Sequence, residues 1–286
     1  MKGAMRDTIL SNKRIKAHVN AYGAELKSLE MDGLEYLWQG DTAYYGRTSP
    51  TLFPIMGRFL SDTYYVKDKS YHMPLNGFAM DRNFTTESAM ETEAIFVLHD
   101  DARTRALFPF GFCLRVRFSL ERNCLHVGFR LDNTGTDDLP FCFGFHTAYR
   151  WPLEGDEPNK AYIRFEQPED LASFNPFNWK DPGFIRGGYK QLNHELFLNY
   201  TRSMTDIASG FIEYGSTGGK HGVRIHRSQF PYLAMWTLPD EKAGFLCLEP
   251  STSVHAGAAT TIEDRCGTLV ISPGETCEKE LTIELF

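Results

Sequence analysis

No stretch of this 286-residue chain approaches the ~18–20 continuous apolar residues that span a bilayer, and Met1–Val19 alternates charges with small residues instead of building a signal-peptide core. The chain is therefore expected to be cytoplasmic, with no membrane partner. Paired cysteines are also missing. Six are present (Cys113, Cys124, Cys142, Cys247, Cys266, Cys277), none in a C-x-x-C pair, and most lie in apolar runs such as Phe141-Cys142-Phe143 and Leu246-Cys247-Leu248. Small buried hydrophobes with reduced thiols fit that placement better than a disulfide framework, which a chain of this size does not need. Charge of one sign is not concentrated anywhere. With 30 Lys and Arg against 37 Asp and Glu, a net of −7, a broad phosphate-binding surface and a nucleic-acid partner are disfavoured.

Several reaction motifs are missing as well. There is no G-x-x-x-x-G-K-[ST], no G-x-G-x-x-G opening a helix, no G-x-S-x-G and no H-E-x-x-H, so nucleotide, hydrolase-triad and zincin chemistry lose their usual support. His221 and His226 suggest a metal, but an odd separation along a strand sends the rings to opposite faces, and no Cys or carboxylate lies at matching spacing. Neither a metal nor a cofactor is indicated. Long helical stripes are missing too, and Asp100–Ala106 is the best short helix candidate. A doubly wound α/β fold is thereby excluded.

What is present is alternation. Leu114, Val116, Phe118 and Leu120 alternate with polar residues and, after a Glu-Arg-Asn turn, Leu125, Val127, Phe129 and Leu131 repeat the pattern, which predicts a β-hairpin with one apolar face. Further strand-like runs occur at 14–19, 25–30, 34–38, 94–98, 139–145, 161–165, 222–226, 232–238, 245–249, 268–272 and 278–286. Asp32-Gly33 supplies the positive φ of a tight hairpin turn. Residues 154–188, rich in Gly, Pro and Asn, read as long loops. More than ten short strands, polar turns and no linker predict one domain over residues 1–286, an all-β, large antiparallel β-sandwich with few short helices. The 14% of aromatic residues fit its core, and a few flat faces would suit a ligand pocket.

Four segments place polar chemistry at strand ends or turns: 53–59 (Phe-Pro-Ile-Met-Gly-Arg-Phe), 75–81 (Leu-Asn-Gly-Phe-Ala-Met-Asp), 143–147 (Phe-Gly-Phe-His-Thr) and 245–250 (Phe-Leu-Cys-Leu-Glu-Pro). His146 ends an apolar run, where an imidazole can sit at a pocket mouth; a packed structural histidine is the plainer alternative. Glu249 ends a core strand, where burying a carboxylate is costly unless it serves or pairs. Arg58 offers a rigid multi-donor guanidinium suited to vicinal hydroxyls or a carboxylate, and Asn76 and Asp81 flank the Gly77-Phe78 turn. Each residue alone also fits a purely structural role.

In this order and spacing the segments resemble the aldose 1-epimerase (galactose mutarotase) superfamily, most closely its LacX-like branch. The resemblance runs from Gly23-Ala24-Glu25-Leu26 and Tyr36-Leu37-Trp38 through Pro54-Ile55-Met56-Gly57-Arg58 to Phe230-Pro231-Tyr232-Leu233, Trp236-Thr237 and Leu248-Glu249-Pro250. It implies a mutarotase-type β-sandwich that binds a small-molecule sugar and interconverts its anomers without a cofactor. Glu249 would be the base, His146 the acid, and Arg58, Asn76 and Asp81 substrate contacts. Three departures stand out. Asn76 replaces a second pocket histidine with an amide that cannot titrate. Thr147 and Ser251 replace a proline and an aromatic residue, which implies an altered substrate wall. A sugar-binding Asp is also expected ahead of Phe230-Pro231, yet Leu198-Asn199-Tyr200 offers none. A carbohydrate-binding protein on the same scaffold is thus the alternative, with glycoside hydrolysis through Glu249 and Asp81 as a third reading. Monomer and homodimer remain equally open.

Overall fold

A computed structural model describes residues 7–174, 180–198, 201–254 and 258–286. Every ladder between its strands is antiparallel, and two large sheets of nine and eight strands carry most of the chain. The predicted hairpin lies at the heart of the nine-stranded sheet as Phe112–Glu121 and Cys124–Asn133, with Val116 opposite Phe129 and Leu120 opposite Leu125. Its turn is two residues long, Arg122-Asn123, because Glu121 still pairs with Cys124. Period-2 alternation turns the leucines, valines and phenylalanines of both strands inward and leaves Arg115, Arg117 and Arg130 outside, where they meet carboxylates of neighbouring strands.

The inner faces of the two sheets meet through aromatic rings, which fixes the sandwich. Phe129 of the nine-stranded sheet stacks on Phe143 at 5.2 Å, and Phe118 lies 6.1 Å from Phe145 of the eight-stranded sheet. The eight-stranded sheet is covered on both faces. Along Phe245–Ser251, Leu246 and Leu248 enter the main core, while Phe245 and Cys247 face a second apolar cluster with Ala148, Ala243 and Trp236. Glu249 follows on that second face.

Local chemistry accounts for the remaining elements. Asp32 and Gly33 have φ of +52° and +89°, the pair of positive values that a two-residue hairpin turn requires. The α-helix spans Ala102–Leu107 and starts from a capping box in which Asp101 accepts from the Thr104 N–H while Thr104 Oγ1 accepts from the Asp101 N–H. Three expectations need correction. The run 139–145 divides into Leu139–Phe141 and Gly144–Phe145, which belong to different sheets. The run 34–38 is a strand only over Leu34–Glu35. Residues 154–188 are not mainly loop: Leu171–Phe174 and Lys180–Ile185 are strands of the eight-stranded sheet, and the Pro and Gly of the second suit its place at the edge.

Candidate active site

Strand register brings the two strongest sequence candidates together. Gly144 pairs with Ser251 and Thr147 with Leu248, so the same register places His146 opposite Glu249, although the two are about a hundred residues apart in sequence. The ladder is interrupted at this point because Pro250 has no N–H to give it, and the His146 N–H goes to the Pro50 carbonyl at 3.2 Å. On the other side Ala234 pairs with Glu249 and Ser203 with Ala234. A row Ser203–Ala234–Glu249–His146 thus crosses four strands and forms the floor of a cavity of ≈ 400 Å³. Trp236 lies on the same face, and Tyr45, Arg47, Met56, Leu75 and Asn76 form the surrounding wall.

His146 Nε2 lies 3.3 Å from Glu249 Oε1, and both side chains are more than nine-tenths buried. Burial opposes the charged form of each. It pushes the Glu249 carboxyl up to about 8 and, with a smaller contribution from the Arg47 charge, holds the His146 imidazole down at about 4. Between those values the pair holds one proton. That proton has two seats, on the carboxylate or on the imidazole, and the short separation joins them. The other ring nitrogen of His146 lies 3.5 Å from the Tyr45 hydroxyl, and the Tyr45 ring stacks on the imidazole with 5.5 Å between centroids. Tyr45 is itself fixed, because its carbonyl accepts from the Trp38 indole N–H at 2.7 Å.

Arg47 is the cation of the wall. Its guanidinium donates to the Met80 carbonyl at 3.1 Å, pairs with Asp81 and lies 3.9 Å from Glu25. Glu25 is buried and accepts from the Thr48 N–H at 2.6 Å, which locks the backbone beside Arg47. Asn76 lines the cavity too. Its Oδ1 accepts from the Gly57 N–H at 2.6 Å, and its own N–H donates to the Gly57 carbonyl at 2.7 Å, so the side-chain NH₂ is the part left over for a ligand.

The structure therefore gathers Glu249, His146 and Asn76 around one cavity but leaves two other sequence candidates outside its lining. Asp81 is bound to Arg47, and Arg58 is half-exposed with Nε 3.7 Å from Asp62. Residues 251–253 are buried in the interior rather than part of the wall, with Ser251 Oγ donating to the Ser253 carbonyl. Asn199 and Tyr200 lie outside the described residues. Sequence reasoning passed over Tyr45 and Arg47. They sit in an irregular exposed segment without periodicity, and only their nearness to Trp38 and to the 48–59 run gave any signal.

Among the described residues, one donor set could hold a metal. His146, Cys247 and Glu249 bring a nitrogen, a sulfur and an oxygen within 4.8 Å of one another. A larger depression on the outer face of the nine-stranded sheet, ≈ 570 Å³, is lined by Arg115, Arg117, Arg130, Glu278 and Glu280. Arg117 and Arg130 pair there with Glu280 and Glu278, while Arg115 reaches Glu87 and Asp132. No buried acid–base pair converges on it.

Comparison with known proteins finds relatives along nearly the whole chain. Residues 7–182 match the family described as Aldose 1-epimerase, a span that includes His146 and ends before Glu249. Protein LacX, in chromosomal and plasmid forms from Lactococcus lactis subsp. lactis, is 27% and 26% identical, with 97% of this chain and 98% of each relative covered. A galactose mutarotase-like protein from Lactobacillus casei superposes with a TM-score of 0.91 at 27% identity, over 98% of this chain and all of the other. A galactose mutarotase related enzyme from Lactobacillus acidophilus gives the same TM-score at 23% identity, over 98% and 97% of the two chains. With the fold matched from end to end and more than half of the chain under the family's own pattern, this protein belongs to the aldose 1-epimerase family, within the galactose mutarotase superfamily.

Proposed function

We propose that this protein is an aldose 1-epimerase that interconverts the α and β anomers of a free aldose, with Glu249 as base and His146 as acid. The observation that carries the reading is the buried His146–Glu249 pair on the floor of a cavity within the ~300–1,000 Å³ range of small-molecule sites. Ring opening needs one group to take the proton of the anomeric hydroxyl and another to protonate the ring oxygen. Both oxygens are on one carbon, so the two groups must be close together.

The reaction uses the seating in which the proton of the pair is on His146 and the Glu249 carboxylate is free, the less populated of the two because burial opposes both charges. Glu249 accepts the proton from O1 as His146 delivers its own to O5. The C1–O5 bond breaks, and an open-chain aldehyde stands between a neutral acid and a neutral imidazole. Burial favours that neutral arrangement, so the environment supports the open-chain state. Rotation about C1–C2 presents the other carbonyl face. The same two proton transfers in reverse then close the ring as the other anomer. The Trp236 ring gives the apolar face of a sugar a surface, while Arg47, Asn76 and Ser203 offer polar contacts for its hydroxyls.

A glycosidase needs a second carboxylate across the scissile bond, and Asp81 is occupied by Arg47 outside the cavity lining. The test is polarimetry of freshly dissolved α-glucose, α-galactose and other aldoses, alongside an aryl glycoside. Faster mutarotation of at least one sugar with no release of reducing sugar is expected. Sugar binding without any acceleration would instead identify a binding protein, with Asn76 the first residue to examine.

A further inference from the structure

Cys247 has no part in the proposed chemistry, yet it stands two residues before Glu249 on one strand, so the period of the strand places both side chains on the same sheet face. His146 projects beside Glu249 from the neighbouring strand. The three donor atoms lie within 4.8 Å of one another, and all three residues are buried. Around the sulfur the neighbours are apolar or aromatic, Ala148, Phe245 and Trp236 among them, and the thiol makes no hydrogen bond among the described residues. A carboxylate, an imidazole and a thiol that converge from two strands inside such surroundings form a compact polar island.

Zinc takes this combination of donors, and a three-residue set leaves one position of its tetrahedron for a water or a substrate oxygen. The cavity touches His146 and Glu249 but not Cys247, so an ion would enter across the carboxylate–imidazole edge with the thiolate behind it.

We propose that His146, Cys247 and Glu249 form a binding site for a thiophilic divalent cation of the zinc type, and that occupancy switches the site off by withdrawing both its base and its acid. The inhibitory half rests on the epimerase reading; the binding half does not. Other histidine–carboxylate pairs, such as His226 with Glu284 at 2.9 Å, belong to no such three-donor cluster among the described residues and serve as the background.

The experiment uses the full chain after treatment with a chelator. Zinc is titrated by calorimetry, and cobalt is added separately to look for a thiolate-to-cobalt charge-transfer band. Wild type should bind one zinc per chain and show the band. Cys247→Ala should bind at least ~10–100-fold more weakly, a loss no smaller than that typical for a supporting residue of a metal site, and show no band. Cys247→Ser, closer in volume, repeats the comparison should the alanine variant be insoluble. In activity, zinc should abolish the acceleration by wild type and spare that by Cys247→Ala. Equal zinc affinity in wild type and variant, or cobalt spectra without the thiolate band, would overturn the proposal. If no sugar is accelerated at all, the epimerase reading fails, while calorimetry and the cobalt spectrum still decide the metal site.

Discussion

Raising the pH should destabilise this protein through one carboxyl group. Glu249 in the folded chain titrates at about 8, against an ordinary value of 4.5, because burial disfavours its charge. A group whose folded value is raised holds its proton more tightly when folded. Its contribution to stability is therefore complete below the ordinary value and is lost as pH rises through about 8. At ~1.4 kcal/mol for each tenfold change in proton affinity, the loss is at most about 5 kcal/mol, a large share of the 5–15 kcal/mol typical of a folded domain. Glu249→Gln keeps the shape and removes the titration. The assay is urea unfolding followed by tryptophan fluorescence at about pH 6 and about pH 9.5. Wild type should lose about 3 kcal/mol more than the variant between the two conditions, because ~1.4 kcal/mol per pH unit acts over the two units from 6 to about 8. An equal loss in both proteins would refute the reasoning, because it would show that Glu249 carries no proton that folding protects. His146 gives the opposite limb: its folded value is lowered to about 4, so its contribution is lost as pH falls from about 6.5 through 4. Activity should follow the same limits, with a plateau between about 4 and 8 and a decline on either side, where the pair holds two protons or none.

Two further predictions concern the wall of the cavity. Gly77 has φ +78°, and an added Cβ would lie 2.1 Å from the Phe53 carbonyl oxygen, so Gly77→Ala should cost at least ~3 kcal/mol in urea unfolding. A loss below about 1 kcal/mol would mean that the 75–81 turn is not held against the 53–59 segment as described. Asn76→Ala removes the acceptor of the Gly57 N–H, a loss worth about 1–3 kcal/mol, and should raise KM for a sugar more than it lowers kcat. Asn76→His separates the two functions of this position. A higher kcat would show that a missing titratable group limits the protein, whereas a fall in sugar affinity would show that the amide is needed to hold Gly57.

Much of the fold was legible because burial on one face of a strand writes a period of two into the sequence. The hairpin 112–133 has that pattern over twenty residues, and Asp32-Gly33 declares its own turn chemistry. Where strands are short, lie at an edge or change sheets, the pattern fades. Gly144–Phe145 is too brief to show a period, and the edge strand Lys180–Ile185 mixes Pro and Gly with its apolar residues. His146 and Glu249 could be picked out singly, since a polar residue at the end of an apolar run is conspicuous. Their mutual distance could not, because it depends on the register of strands a hundred residues apart. Arg47 shows the opposite case. Nothing local distinguishes it from Arg58, and only the fold reveals that Asp81, Met80 and Glu25 hold one guanidinium at the cavity while the other pairs with Asp62 near the surface. The apolar run around Cys247 marks it as a buried thiol, unlike the exposed Cys266, yet its place beside the acid–base pair emerges from the alternation of the strand combined with that register.

The most direct test of the central claim follows the optical rotation of fresh α-galactose and α-glucose with wild type, Glu249→Gln and His146→Gln, after subtraction of the spontaneous rate. Wild type should accelerate the approach to anomeric equilibrium for at least one sugar, and each variant should lose ~100-fold or more, as expected when a general acid or base is removed. Wild-type turnover retained by either variant would contradict the assignment of this pair as the catalytic acid and base.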